Sequence, residues 1–292
     1  MRVLIAGAAG MLGNATYRLL AQTPGWSVTG TVRSAAALTH FPPELRTGLL
    51  TNIDLSVADQ MMLALQQAKP DVVINCAGLT KHLPQGEDVL AATEANITLP
   101  HRLARLCAVA SARLVHISTD CVFSGAKGNY RESDFPDAGD VYGRSKLLGE
   151  VDYANAITLR TSIVGHELGS RHGLLEWFLA QQESCRGFTQ ARFSGLPTTV
   201  LAEVIRDHVI PRPDLHGVYH VASDAIDKYN LLKLFAQAYG KSIRIDADDK
   251  LKIDRSLDGS RFTAATGWQA KAWPELVARM AQTQPRKDGN HV

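Results

Sequence analysis

Tyr142 and Lys146 stand four residues apart in the run Tyr142-Gly143-Arg144-Ser145-Lys146. On a helix that spacing puts a phenol and an ammonium on one face. A cation beside a phenol favours phenolate, so the pair is expected to lower the tyrosine pKa toward the working range. Upstream, Val115-His116-Ile117-Ser118-Thr119-Asp120-Cys121-Val122-Phe123 reads as a strand ending in hydroxyls. Thr119 can hydrogen-bond a carbonyl oxygen while Tyr142 gives that oxygen a proton. This is the acid half of a carbonyl reduction, with the hydride left to a cofactor. A Tyr-x-x-x-Lys pair alone is more simply a surface pair. It gains meaning from its company and its order in the chain.

That company begins with Gly7-Ala8-Ala9-Gly10-Met11-Leu12-Gly13, between an apolar strand and a helix. Gly7 permits a tight turn, Gly10 lets the backbone approach a pyrophosphate, and Gly13 allows close helix–strand packing. The N–H groups around Met11 and Leu12 then face the anion at the helix N-terminus. After the second strand stands Arg33 where an NAD site would place a carboxylate, which favours the extra phosphate of NADP. Asp54-Leu55 closes the third strand, where the aspartate can accept from an adenine amino group. Cys76-Ala77-Gly78 closes the fourth with small residues that leave room for the cofactor. NADP(H) is the expected cofactor, with NAD(H) as the alternative. Lys146 is expected to hold the nicotinamide ribose as well as to support Tyr142.

The elements that must position these groups follow one rhythm. Strands are expected at 3–6, 27–32, 49–54, 71–75, 113–118 and 156–160. Helices are expected at 11–21, 57–67, 89–110 with a bend near Pro100, and 141–153. Continuous apolar strands alternating with helices predict a parallel sheet covered on both faces, hence a doubly wound α/β (Rossmann) fold. Beyond about residue 165 the rhythm weakens into a smaller α+β piece, with helices at 172–182, 199–210, 228–239, 260–266 and 273–281. The expected division is a dinucleotide-binding domain over 1–165 joined by about 189–211. A substrate domain takes 166–188 and 212–285, and 286–292 is a polar tail.

These motifs resemble the extended short-chain dehydrogenase/reductases, and among them the dTDP-4-dehydrorhamnose reductase group. The likeness rests on Gly7–Gly13, Val73-Ile74-Asn75-Cys76-Ala77, Ser118–Phe123, Tyr142–Lys146 and Leu159-Arg160-Thr161-Ser162. Further on it rests on Gly195-Leu196-Pro197-Thr198 and Gly217-Val218-Tyr219-His220. The resemblance implies reduction of a 4-keto group on a nucleotide-linked deoxysugar, with Thr119, Tyr142 and Lys146 as the catalytic triad. The chain departs from that group at Leu79–Leu83, at Cys121 and at Ile253–Asp258, all on the substrate side. A buried diphosphate needs cations, and Lys81 and Arg255 in the departing segments are the expected ones, with Ser118 and Thr119 at the sugar. Specificity is expected in 79–85 and beyond 165. Two other readings stand beside this one. An epimerase or dehydratase shares the fold, but dehydratases carry a glutamate where Cys121 stands. A cofactor-binding regulatory subunit, like that of methionine adenosyltransferase, is the reading without turnover.

Composition narrows the field further. The chain has 292 residues, 45% hydrophobic and 21% charged, with 31 Lys and Arg against 29 Asp and Glu. A net charge of +2 does not suit a nucleic-acid or membrane-surface binder. No apolar run is long enough to span a membrane, and the N-terminal residues lack a signal-peptide pattern. Cys76, Cys107, Cys121 and Cys185 are far apart and expected as free thiols in a reducing, cytoplasmic setting. No metal site is expected. His216 and His220, four apart on a strand, would lie ~13 Å apart. His116 reads as a core histidine, and His166 and His172 as residues of a solvated loop. The expected partner is a nucleotide sugar, with a homodimer as one open assembly.

Overall fold

The computed structural model describes residues 1–81, 87–169 and 171–283. The first half builds the main sheet. Its strands are β1 (Arg2–Ala6), β2 (Ser27–Thr31), β3 (Leu49–Leu50), β4 (Val72–Asn75), β5 (Arg113–Thr119) and β6 (Ala156–Thr161). Their helices are α1 (Met11–Ala21), α2 (Ala58–Ala68), α3 (Val89–Ala92), α4 (Leu99–Val109) and α5 (Val141–Leu148). The second half adds β7 (Ile163–Val164), α6 (Leu174–Ala180), β8 (Ser184–Phe188), β9 (Ala191–Phe193), β10 (Leu196–Pro197) and α7 (Thr198–Val204). After these come β11 (Gly217–His220), β12 (Ile226–Asp227), α8 (Lys228–Ala238), β13 (Arg244–Asp248), β14 (Ile253–Asp254), α9 (Ser260–Thr266) and α10 (Trp273–Gln282).

The main sheet runs β11-β6-β5-β4-β1-β2-β3, with every pair parallel. The chain order reverses beside β1, between β2 and β4, and at such a point the loops part to leave a crevice. Side chains alternate across each strand, so two cores form. Val3, Ile5, Ile74, Val115 and Leu159 pack on one face with Leu12 and Tyr17 of α1 and Leu201 of α7. Leu4, Val73 and Leu114 pack on the other with Met61 of α2 and Leu103 of α4. The expected doubly wound parallel sheet is present.

Several expectations need correction. Gly217–His220, assigned above to the substrate piece, is the edge strand of the main sheet. The third strand is two residues long rather than six, since Asn52 adopts a positive φ of 57° and turns the chain. The helix 89–110 is interrupted near Pro100, as expected, and the form of the break is a π-helical turn over Thr93–Thr98. Pro100 has no N–H to give the Asn96 carbonyl. Gly149 packs onto that carbonyl so closely that a Cβ there would lie 1.7 Å from the oxygen. The following helix accordingly stops at Leu148 instead of 153.

The second half is held by short pairings outside the main sheet. β8 pairs with β13, β7 with β10, and β9 lies between β12 and β14. The tail 286–292 and His82–Gln85 of the expected specificity segment lie outside the described residues. No described helix is long and apolar enough to cross a membrane.

Candidate active site

The glycine loop shows which of its members the fold itself requires. Gly7 has φ +82°, and a Cβ there would press on Ala77 at 3.0 Å. At Gly13 a Cβ would lie 2.1 Å from the Gly7 carbonyl oxygen. Gly10 differs: its added Cβ would meet only the Gly7 oxygen, at an ordinary 3.5 Å. Among the described residues no atom needs Gly10 to be bare, which leaves open space above the loop. Gly10 is also the N-cap of α1 and supplies no side-chain cap, leaving first-turn N–H groups around Met11 and Leu12 for an anion. A dinucleotide pyrophosphate fits that cradle. Arg33 is exposed just beyond β2, and its charge lowers the Asp54 carboxyl, whose main restraint is Ser56. No local sequence signal reports this proximity, because the two residues follow different strands, β2 and β3. Leu55 is buried, while Cys76, Ala77 and Gly78 line the end of β4.

The residues expected to be catalytic come from the carboxyl end of β5 and from α5. Asp140 caps α5 by accepting from the Gly143 N–H at 2.6 Å. A Cβ at Gly143 would lie 2.3 Å from the Cys121 carbonyl oxygen, so this glycine lets α5 rest against the end of β5. Tyr142 is thereby brought near the Thr119 hydroxyl, which favours the ionised phenol against the larger effect of burial. Thr119 Oγ1 also donates to Asp120 Oδ1 at 3.1 Å and accepts from the Cys121 N–H at 3.1 Å. One turn along α5, Lys146 is 6% exposed and its Nζ donates to the Ile117 carbonyl at 2.8 Å.

The electrostatics overturn one expectation. Burial raises the Tyr142 phenol above its ordinary value, and the Cys121 and Asp120 charges push the same way. The Lys146 amine is pulled down to about 8 by burial, against the opposing effect of Glu150. Desolvation therefore sets the direction, and no phenolate-favouring effect of Lys146 offsets it. The phenol stays protonated, which suits a proton donor. Cys76, near Lys146, is raised to about 12 and is no nucleophile.

Ser118 has a protein partner that no local sequence signal reports. Its hydroxyl donates to Glu150 Oε1 at 2.7 Å. Glu150 forms a two-pronged pair with Arg160, at 2.8 and 2.7 Å, with both side chains buried. Arg160 Nη1 reaches His220 Nε2 at 3.3 Å, and His220 Nδ1 donates to the Tyr130 carbonyl at 3.0 Å. The Ser118 proton is committed to this network, leaving only its lone pairs for a ligand. Other residues also escaped the sequence reading. Asn96, 1% exposed in the π turn, holds the backbone of Leu79 through both N–H and carbonyl and donates to Ser145 Oγ at 3.0 Å. Its available signal was an asparagine inside a helix four residues before a proline.

On the substrate side, Lys81 Nζ lies 3.9 Å and Arg255 Nη1 3.7 Å from Cys121 Sγ. Arg255 Nε also donates to the Phe123 carbonyl at 2.8 Å. Both expected cations thus stand beside Cys121, next to Thr119 and Asp120. Among the histidines, His116 is buried and bonded to Asn75 at 3.1 Å. His166 is not solvated as expected: it is held between Glu176 and Tyr239, at 3.0 and 2.9 Å. The four cysteines are unpaired.

Comparison with known proteins gives this geometry its setting. The family description "RmlD substrate binding domain" matches residues 1–284. A probable low-salt glycan biosynthesis reductase of Haloferax volcanii is 32% identical over 241 residues, 77% of this chain and 75% of that protein. Methionine adenosyltransferase 2 subunit beta of Mus musculus is 30% identical over 312 residues, covering 94% of this chain and 88% of that one. The crystal structure of dTDP-4-dehydrorhamnose reductase from Bacillus anthracis with NADP superposes with a TM-score of 0.78 at 22% identity. It covers 96% of this chain and 98% of its own. The chain belongs to the RmlD substrate-binding-domain family of extended short-chain dehydrogenase/reductases.

Proposed function

We propose that this protein is an NADPH-dependent reductase of the 4-keto group of a nucleotide-linked deoxysugar. The observation that carries the reading is the packing of α5 against the end of β5 through Gly143, which sets Tyr142 near Thr119 with Lys146 one turn away, and the Gly7–Gly13 cradle on the same sheet edge. The nicotinamide, when bound, supplies hydride to the carbonyl carbon. Thr119 orients the carbonyl oxygen with its hydroxyl. Tyr142 gives its phenolic proton to that oxygen as the C=O becomes an alcohol. Lys146 holds the dinucleotide ribose and restores charge balance around the phenol. Gly10, Met11, Leu12 and Gly13 receive the pyrophosphate, and Arg33 the additional phosphate of NADPH. Asp54, Leu55, Cys76, Ala77 and Gly78 border the adenosine and ribose. Lys81 and Arg255 supply positive charge for the diphosphate of the substrate, with Ser118 and Thr119 at the sugar.

The same site disfavours elimination chemistry, because Cys121, raised to about 11, offers no acid or base matched to neutral pH. The likeness to a regulatory subunit keeps open a role in binding without turnover. The complete Thr119, Tyr142 and Lys146 set favours catalysis. Nucleotide 4-keto-6-deoxy sugars with several bases should each be mixed with protein and NADPH. Consumption of NADPH with one of them supports the reading. Tight NADPH binding without consumption across the panel favours the regulatory one.

A further inference from the structure

The buried network behind Ser118 runs on to the substrate side. Glu150, just beyond α5, takes both prongs of Arg160 from β6, and the remaining guanidinium nitrogen faces His220 Nε2 at 3.3 Å. An arginine only donates, so Nε2 must accept and the ring proton sits on Nδ1. Nδ1 then donates to the Tyr130 carbonyl at 3.0 Å. Burial and the Arg160 charge hold the His220 pKa down to about 4, so the ring stays neutral and keeps this tautomer at neutral pH.

Tyr130 is where the segment carrying Arg255 docks. Its N–H donates to the Ser256 carbonyl at 2.8 Å, and its carbonyl accepts from the Asp258 N–H at 2.7 Å. A parallel bridge joins it to Leu257, and the neighbouring Asn129 N–H donates to Ser256 Oγ at 2.8 Å. Arg255 immediately precedes Ser256, and its Nη1 stands 3.7 Å from Cys121 Sγ. His220 grips the loop under this segment twice, by its ring at Tyr130 and by its backbone N–H to Glu132 Oε1 at 2.8 Å. It is the last residue of β11, the edge of the sheet whose β5 carries Ser118 and Thr119. We propose that His220 is a positioning residue: anchored through Arg160 and Glu150 to the end of β5, it holds the segment that carries Arg255 in place for the substrate's diphosphate.

Fold stability alone does not account for this arrangement. A buried ion pair such as Glu150–Arg160 contributes little net over apolar side chains of similar volume. Tyr130 is already packed without His220: its ring stacks on Phe123 at 4.1 Å, and its hydroxyl accepts from the Gly125 and Lys127 N–H groups. What the His220 bond adds is direction, a set register between the sheet edge and the loop that a non-directional apolar contact does not give. The His220 side chain is itself fully buried, so it acts on a ligand through the segment and not by touching it.

This inference rests on the nucleotide-sugar reading and deepens it. The test is calorimetric titration of UDP and dTDP into NADPH-saturated wild type, His220→Gln and His220→Asn, with His220→Gln also made in an Arg255→Ala background. Glutamine can still accept from Arg160 but loses the bond to Tyr130, whereas asparagine keeps an N–H near the Nδ1 position. His220→Gln is expected to weaken the preferred nucleoside diphosphate at least ~10-fold and His220→Asn less than about threefold, with NADPH affinity within about twofold in both. In the Arg255→Ala background the added loss from His220→Gln should be less than about twofold, because the residue acts through Arg255. An unchanged diphosphate affinity in His220→Gln, an equal loss in His220→Asn, a fully additive loss with Arg255→Ala, or a matching loss of NADPH affinity overturns the assignment and leaves the nucleotide-sugar reading intact. Wild type that binds NADPH but neither nucleoside diphosphate overturns both.

Discussion

Replacing Lys146 with methionine should reveal what its buried charge costs the fold. The amine is 6% exposed and its pKa falls from 10.5 to about 8. That drop corresponds to about 3 kcal/mol of preference for the neutral form in the folded protein. The sign follows from proton counting. Below pH 8 both folded and unfolded states carry the proton, and the folded state bears the whole cost. Between about pH 8 and 10.5 the folded state sheds its proton first, so the unfolded state binds more protons and stability rises with pH. Above that window both are neutral and the cost is gone. The lost bond to the Ile117 carbonyl shifts the variant by a pH-independent amount of about 1 kcal/mol. Other titrating groups cancel when the two proteins are compared. Urea unfolding of wild type and Lys146→Met at several pH values, without added dinucleotide, gives the difference curve. Wild-type stability relative to the variant should climb by about 2–3 kcal/mol from pH 7.5 to 10.5. A flat difference, or one that falls with pH, would refute the desolvation argument for this lysine.

Arg33→Ala should weaken NADPH binding about 10-fold or more while NADH stays within about twofold, as read by fluorescence titration. Equal losses for both would remove Arg33 from the extra phosphate. Gly13→Ala drives a methyl into the Gly7 carbonyl, 2.1 Å from its oxygen. It should destabilise the protein by about 1–3 kcal/mol in urea unfolding and weaken NADPH binding as well. Unchanged stability would show that the loop yields more easily than its packing suggests.

How much of this was readable from sequence depends on whether the signal was local. The Gly7–Gly13 loop, the parallel strands and the Tyr142–Lys146 spacing are contiguous patterns, and the backbone follows them. The interruption near Pro100 is legible from the proline, but its π form is not, because the cause is shared between the missing N–H at Pro100 and the close approach of Gly149 from about fifty residues away. The sign of the Tyr142 shift was misjudged because spacing reports neighbours but not desolvation. Ser118 was legible as a strand-end hydroxyl, yet its partner Glu150 is fixed by Arg160 on the adjacent strand. What escaped was, in each case, a property of residues brought together by tertiary contacts.

The central claim is that Tyr142 delivers the proton as hydride reaches the carbonyl. The most direct test is steady-state NADPH oxidation by Tyr142→Phe with the nucleotide 4-keto sugar that wild type consumes, alongside NADPH titration of both proteins. The ring is retained and only the hydroxyl is lost, so NADPH affinity should stay within about twofold. The account predicts that kcat falls by ~10²–10⁴-fold, the contribution of a positioned general acid. A variant that binds NADPH normally and keeps most of the wild-type kcat would contradict it, since the proton would then come from another group.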